Sequence, residues 1–248
     1  MINILNNKEN FKKENNRAWN CNADFLIEHN FPRTEIRNLL QKELSILAKA
    51  LEHKSQILDV GCGTGWLKDI IPSNSSYIGL DNCLKFVEHQ ADSENSRFLY
   101  IDMEGDLEEY SEELQSDIVV CCLSLIEMPF LNIAFKNITR TAKKGAALLI
   151  IGLDPAIEVL RAIGENDVRA KSIWRLTKKN KLVTISKLIR IGKYSSKENY
   201  HRILYDFEDY FRLAKKNNFI LENCMSIPTE NVKKEMMPSY QYMLFRKE

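Results

Sequence analysis

The fold is decided by the stretch Ile57-Leu58-Asp59-Val60-Gly61-Cys62-Gly63-Thr64-Gly65. Its apolar first half is typical of a buried strand, and the glycines at every second position are typical of a tight turn that lets the backbone approach a ligand closely. A helix that follows such a turn presents its N-terminus to the same ligand. The stretch therefore predicts a strand, a turn and a helix that together hold a cofactor.

Four more short apolar runs follow along the chain, at residues 77–80, 98–101, 118–123 and 146–151, with helical stretches between them. Strands that alternate with helices form a parallel sheet covered on both faces. The Lys143-Lys144-Gly145 segment is expected to end the helix before the last of these runs. We therefore predict a doubly wound, Rossmann-like α/β fold.

The remaining chain divides around this core. Residues 1–54 are predicted to be an N-terminal helical arm or lid, with a helix from Thr34 and a looser segment before it. Residues 55–154 form the cofactor-binding core. Residues 155–205 interrupt the alternation with a helical piece around 157–163 and alternating apolar residues from Val183 to Ile191, which predict a cap insertion. Residues 206–248 complete the sheet, with a helix at 207–217 and strands at 219–224 and 240–245.

The overall composition excludes several classes of protein. The 248 residues are 44% hydrophobic and 28% charged, and 35 basic residues nearly cancel 34 acidic ones, so net charge indicates neither nucleic-acid nor membrane binding. The first residues lack the apolar core of a signal peptide, and no later stretch has the length of a membrane span, which predicts a cytoplasmic protein. The six cysteines form no C-x-x-C pair and have no metal-ligand spacing with the histidines, so we expect buried, reduced thiols and no metal site.

Two acids follow the second and third apolar runs. Asp81 is placed to accept hydrogen bonds from both hydroxyls of a ribose. Asp102 is placed to accept one from an adenine amine, with Met103 packed against the ring. Because the carboxyl ends of parallel strands meet at one edge of a sheet, the glycine turn and both acids should lie together.

These residues resemble class I S-adenosylmethionine-dependent methyltransferases, with the likeness running from about residue 56 to 154. A dinucleotide-binding protein that uses NAD is the alternative, but its glycines are spaced G-x-G-x-x-G. The resemblance implies a seven-stranded sheet whose last strand is antiparallel, S-adenosylmethionine as cofactor and S-adenosylhomocysteine as product. It also implies a set of cofactor-binding residues: Asp59, Gly61, Cys62, Gly63, Asp81, Asn82, Asp102, Met103 and Cys122.

The acceptor side of the predicted site is less defined. The 121–127 segment departs from the Asn/Asp-Pro-Pro-Tyr motif of nucleobase-amine methyltransferases, which argues against DNA as substrate. Glu127 stands where many small-molecule members carry a histidine, and a carboxylate there can orient or deprotonate an acceptor, although a solvated or capping acid fits equally. Tyr200-His201-Arg202 resembles a stretch that lines the acceptor pocket in such enzymes. It makes His201 a candidate base, with Tyr200 and Arg202 as substrate-binding residues.

Two residues of the N-terminal arm are placed to close over the cofactor, as related enzymes use such an arm as a lid. These are Trp19 and Arg37, the latter as a partner for the carboxylate of the cofactor, and both suit plain packing as well.

Three functions are compatible with these patterns. The leading hypothesis is a methyltransferase that acts on a small molecule enclosed by the cap. The second is an RNA or protein methyltransferase that docks through residues 169–197, which contain ten basic and no acidic residues. The third is an S-adenosylmethionine-binding protein with a regulatory role or a non-methylating reaction. The oligomeric state stays open.

Overall fold

The protein is described by a computed structural model that covers residues 2–29, 34–110, 112–158, 182–187, 190–191, 194–230 and 236–248. Its helices are α1 (Lys8–His29), α2 (Thr34–Lys49), α3 (Leu84–His89), α4 (Leu131–Thr141) and α5 (Phe207–Lys216). Its strands are β1 (Ile2–Ile4), β2 (Ser55–Val60), β3 (Ser75–Asp81), β4 (Ser96–Tyr100), β5 (Ser116–Cys122), β6 (Ala142–Leu153), β7 (Val183–Lys187), β8 (Arg190–Ile191), β9 (Tyr194–Ser195), β10 (Tyr200–Ile203), β11 (Phe219–Glu230) and β12 (Met236–Lys247).

Seven strands form the central sheet, in the order β11-β12-β6-β5-β2-β3-β4. Strands β4, β3, β2, β5 and β6 pair in parallel, and β12 pairs antiparallel with both β6 and β11. The predicted Rossmann-like sheet with an antiparallel last strand is confirmed. The chain winds outward from β2 through β3 to β4 and then returns to β5, so a crevice opens at the carboxyl ends of β2 and β5.

The two faces of the sheet carry separate apolar cores because side chains alternate along each strand. Leu58 and Val60 lie in the core that α4 and α5 cover, whereas Ile57 lies in the core that α2 covers. The helix predicted from Thr34 is confirmed as α2, and its buried side chains follow the 3.6-residue period: Ile36, Leu40, Leu44, Leu47 and Ala48.

The segment before α2 was expected to be loose. It forms instead the 22-residue helix α1. Its buried face includes Asn15 and Asn22, which obscure the apolar period in the sequence. Both amides are satisfied: Asn15 Oδ1 accepts from the His201 amide at 2.8 Å, and Asn22 Oδ1 accepts from the Glu198 amide at 3.1 Å. Hydrogen-bonded Asn side chains can be buried, so these two hold α1 against β10 and the segment before it.

A second, three-stranded antiparallel sheet, here named the cap sheet, has the order β1-β7-β10, and two of its strands lie in the segment 155–205 that was predicted to be a cap. The alternating apolar residues from Val183 correctly predict β7, and Ile191 falls in β8. The helical piece expected at 157–163 is seen only at residues 155–158, since 159–181 lie outside the described residues, as does Ile189. The sequence patterns predicted neither β10 nor β1, and β1 belongs to the segment 1–54 that was predicted to be a helical arm.

Two smaller expectations need correction. The Lys143-Lys144-Gly145 segment lies inside β6 rather than at the end of a helix, although Gly145 does have a positive φ of 78°. Cys21 and Cys224 are exposed, not buried; all six thiols are free. None of the described helices is long and apolar enough to cross a membrane.

Candidate active site

A cavity of approximately 260 Å³ lies at the carboxyl ends of β2, β3 and β5, roofed by α1 and bordered by β10. Twelve of the residues predicted from the sequence line it: Trp19, Gly61, Cys62, Gly63, Asp81, Asn82, Asp102, Met103, Cys122, Glu127, Tyr200 and Arg202. Lining residues that the sequence analysis missed include Lys12, Asn15, Asn16, Phe86, Glu104, Leu123 and Ser124.

The glycine turn forms the floor of the cavity. Gly61, Gly63 and Gly65 all have positive φ, at 73°, 52° and 70°, a conformation that side chains rarely adopt. A Cβ at Gly61 would lie 2.5 Å from the Cβ of Ser124, so the turn and the end of β5 approach too closely for any other residue. A Cβ at Gly63 would meet nothing within 4 Å, which leaves this backbone open to a ligand in the cavity.

Asp81 ties the end of β3 to this turn. Its Oδ2 accepts from the Gly63 amide at 2.8 Å, and its Oδ1 accepts from the Cys83 amide at 2.8 Å. Burial raises the pKa of the Asp81 carboxyl to about 6, although the backbone donors act against this rise. Each carboxylate oxygen retains a lone pair, so the side chain can still accept from hydroxyls in the cavity.

Asp59 lies beneath the turn and does not line the cavity. It accepts a hydrogen bond of 2.8 Å from the Tyr77 hydroxyl, and burial raises the pKa of its carboxyl to about 7. Side chains alternate along β2, so the Asp59 side chain points into the core that α2 covers. Asp59 therefore supports the glycine turn from below.

Asp102 and Met103 lie side by side at the end of β4, as expected. Lys12 of α1 reaches down to them, with Nζ 2.7 Å from Asp102 Oδ2 and 3.3 Å from Glu104 Oε2. Glu104 also accepts from the amide of Phe130. The ends of β4 and β5 and the roof helix are thus joined through charged groups.

Helix α1 contacts two further strand ends. Asn16 Oδ1 accepts from Asn82 Nδ2 at 3.1 Å, and the indole N–H of Trp19 donates to Glu127 Oε2. Asn15 Nδ2 also donates to Glu127 Oε2, at 3.4 Å. Burial raises the pKa of Glu127 to about 8, opposed by the nearby charge of Arg202 and the hydrogen bond from Trp19.

The three residues of the predicted acceptor motif lie on β10, and their side chains point to different faces of this strand. Tyr200 and Arg202 line the cavity, whereas His201 faces the other side of the strand, where its Nδ1 lies 2.6 Å from Ser186 Oγ and its ring packs on Phe11. The reason is the two-residue period of a strand, which the sequence analysis did not assign to this segment. His201 is therefore behind the wall of the cavity.

Arg37 also lies away from the cavity. It is on the outer part of α2, where its Nη2 is 3.9 Å from Asp69 Oδ2. By contrast, Leu123 adopts a left-handed conformation with a φ of 60° at the end of β5, which is unusual for a branched residue and typical of functional sites. Ser124 Oγ is buried beside it with no hydrogen-bond partner among the described residues.

Cys121 and Cys122 point to opposite sides of β5, as predicted. Cys121 is buried in the core under α4, and Cys122 borders the cavity. Among the described residues, no group of three His, Cys, Asp or Glu side chains has the arrangement of a metal site.

Comparisons with known proteins agree with this geometry. Residues 58–150 match a family model described as a methyltransferase domain. A search of curated proteins finds no match. A S-adenosylmethionine-dependent methyltransferase from Clostridium acetobutylicum has a TM-score of 0.58 at 17% identity, covering 90% of this chain and 95% of that one.

Two further solved structures have the same fold. A magnesium protoporphyrin IX methyltransferase from Synechocystis with bound S-adenosylmethionine has a TM-score of 0.56 at 12% identity, covering 96% of this chain and 97% of that one. A methyltransferase from Methanosarcina mazei has a TM-score of 0.54 at 17% identity, covering 82% and 96%.

The cavity has the features that this cofactor requires. It offers an open backbone at Gly63, a carboxylate at Asp81 with lone pairs that remain available, and a hydroxyl at Ser124 that has no hydrogen-bond partner in the described part of the chain. Backbone amides and carboxylates at strand ends suit the amino acid and ribose parts of the molecule. The match over residues 58–150 identifies this part of the chain as a methyltransferase domain, and the chain has the fold of the solved S-adenosylmethionine-dependent methyltransferases.

Proposed function

We propose that the protein methylates a small molecule that is enclosed between the glycine turn, α1 and β10. The observation that carries this proposal is the roofed cavity itself. Helix α1 is held over it through four sets of side-chain contacts, from Lys12, Asn15, Asn16 and Trp19. Because α1 and β10 border the cavity, an acceptor atom has to enter it to reach the cofactor, and a small molecule can do so as a whole.

The cofactor would be held by the cavity-lining part of the set that the resemblance implies. Gly61, Cys62 and Gly63 would hold its amino acid part, Asp81 and Asn82 its ribose, and Asp102 and Met103 its adenine. The sulfonium supplies a methyl group on a good leaving group, so the protein's main task is to align an acceptor atom with it. Cys122 borders this region of the cavity.

Glu127 is the residue that we propose to act on the acceptor. Its carboxylate lies in the cavity and is fixed by two donors, the Trp19 indole and the Asn15 amide. A pKa of about 8 lets a carboxylate accept a proton near neutral pH much more readily than an ordinary glutamate does. Glu127 therefore replaces His201 as the candidate base, since only Glu127 faces the cavity.

The other two hypotheses receive less support. The basic stretch at 169–197 lies largely outside the described residues, and no contact of its described part favours docking of RNA or protein. A non-methylating reaction of the sulfonium is distinguished by its product, as internal cyclisation releases methylthioadenosine.

The test is a screen of purified protein with S-adenosylmethionine carrying a labelled methyl group against pools of small metabolites. We expect S-adenosylhomocysteine and one labelled product of low molecular mass, both lost in Asp81→Ala and retained in Asp24→Ala, which removes an exposed acid. Label transferred only to RNA or protein, or methylthioadenosine as the nucleoside product, would contradict the proposal.

A further inference from the structure

Arg202 is a buried cation in the cavity that forms no salt bridge with any of the described residues. Its side chain lines the cavity, and the residue is only 7% exposed. Its Nε has no hydrogen-bond partner among the described residues. The guanidinium carbon lies 4.5 Å from the centroid of the Tyr200 ring, a stacking contact that fixes its plane and neutralises no charge. A charge that is taken out of water in this way is costly unless an anion joins it.

The acids near this cation, among the described residues, make their hydrogen bonds and salt bridges with other groups. Lys12, the other cation of the cavity, already pairs with Asp102 and Glu104. Glu127 interacts electrostatically with Arg202, but no salt bridge joins the two, and the Glu127 carboxyl group accepts hydrogen bonds from the Trp19 indole and the Asn15 amide instead. The guanidinium on β10 therefore has an Nε–H without a partner among the described residues, and its parallel N–H groups match a planar carboxylate.

An aromatic wall adjoins this cation. The Trp19 ring lies 5.5 Å from the Tyr200 ring and 6.2 Å from the Phe86 ring, measured between centroids, and all three residues line the cavity. Such surfaces bury flat, apolar groups, whereas a single cation suits a single negative charge. The aromatic wall and the cation together are complementary to a ligand with an apolar body and one anionic end.

Resting on the proposed function, we propose that the methyl acceptor is an aromatic or similarly apolar carboxylic acid, whose carboxylate binds Arg202 and whose body packs on Trp19 and Tyr200. The carboxylate of the cofactor itself is the other source of the same chemistry. We assign Arg202 to the acceptor because it lies on β10 of the cap sheet, beside Glu127, and not on the central sheet whose strand ends form the cofactor cradle.

The test uses matched acids and amides as probes. Benzoate, phenylacetate and indole-3-acetate, each beside its neutral primary amide, are titrated calorimetrically into full-length protein that is saturated with S-adenosylhomocysteine. We expect at least one acid to bind tenfold or more tightly than its amide. In Arg202→Gln that preference should disappear while the affinity of the amide stays within twofold, and Arg202→Lys should retain part of it.

Arg17→Gln, which removes an exposed arginine of α1, is the control and should behave like the wild type. Equal binding of acids and amides by the wild type, no binding of any acid, or equal loss of acid and amide in Arg202→Gln would overturn the inference. A tenfold loss of S-adenosylhomocysteine affinity in Arg202→Gln would assign the guanidinium to the cofactor instead. If Arg202→Gln does not fold, the comparison of acids with amides in the wild type and in Arg202→Lys still tests the inference.

The two proposals fail differently. A wild type that does not bind S-adenosylhomocysteine would overturn the proposed function and this inference together. A wild type that binds it and ignores every acid would overturn the inference alone.

Discussion

The Gly63 amide donates a 2.8 Å hydrogen bond to Asp81 Oδ2, which joins the glycine turn after β2 to the end of β3. Asp81→Ala removes both this acceptor and the one for the Cys83 amide, together with the carboxylate offered to the cavity. Charged hydrogen bonds contribute about 1.5–3 kcal/mol, so we expect affinity for S-adenosylhomocysteine to fall by roughly 10- to 100-fold. Calorimetric titration measures this affinity. An unchanged affinity in a folded variant would refute the proposal that Asp81 binds the cofactor.

Gly61 and Gly63 should respond differently to alanine, although both have positive φ. A left-handed conformation costs a residue with a side chain about 1–2 kcal/mol. The Cβ of Gly61→Ala would also collide with Ser124, so we expect this variant to lose more stability than that. The Cβ of Gly63→Ala points into open space, so its stability should fall less but its cofactor affinity more. Urea unfolding and calorimetry of the two variants check this; the reverse order would show that the cradle lies elsewhere.

The raised pKa of Glu127 leads us to expect that the reaction rate depends on pH. A base with a pKa of about 8 in the free enzyme is mostly protonated at pH 7, so kcat/KM for the acceptor should rise with pH, reach half of its maximum near pH 8 and level off above about pH 9. Glu127→Gln should lose this rise and run about 10²-fold slower or worse, the usual effect of removing a general base. Glu94→Gln, an exposed acid, is the control. A rise that persists in Glu127→Gln would exclude Glu127 as the titrating group.

Asp59 predicts a pH dependence of stability. Its pKa is about 7 in the folded chain against an ordinary 3.8, so between these values the folded chain binds more protons than the unfolded one. The free energy of unfolding therefore falls as pH rises through this window. Asp59→Asn, which can still accept from Tyr77, should lose less stability than the wild type between pH 4 and 7. Urea unfolding at several pH values tests this, and parallel curves for the two proteins would contradict it.

The core of the fold follows from local sequence patterns. The strand, glycine turn and acid at 57–65 and 81 are local features, because a turn with positive φ needs glycine and a buried strand needs a continuous apolar run. For the same reason α2 and α5 are found close to their predicted positions. Helix α1 is missed because Asn15 and Asn22 are buried by hydrogen bonds to distant residues that no local period records.

The sequence by itself determined the Rossmann-like core and the part of the cavity formed by the strand ends, since glycine turns and strand-end acids are fixed by the backbone next to them. Only the tertiary structure decided which residues of α1 and β10 enclose the cavity. It placed α1 over the strand ends, brought Trp19 to Glu127, and turned Arg202 into the cavity and His201 out of it. These relationships join residues more than 100 positions apart and depend on the direction of side chains on one short strand, which packing between elements sets and a linear pattern does not contain.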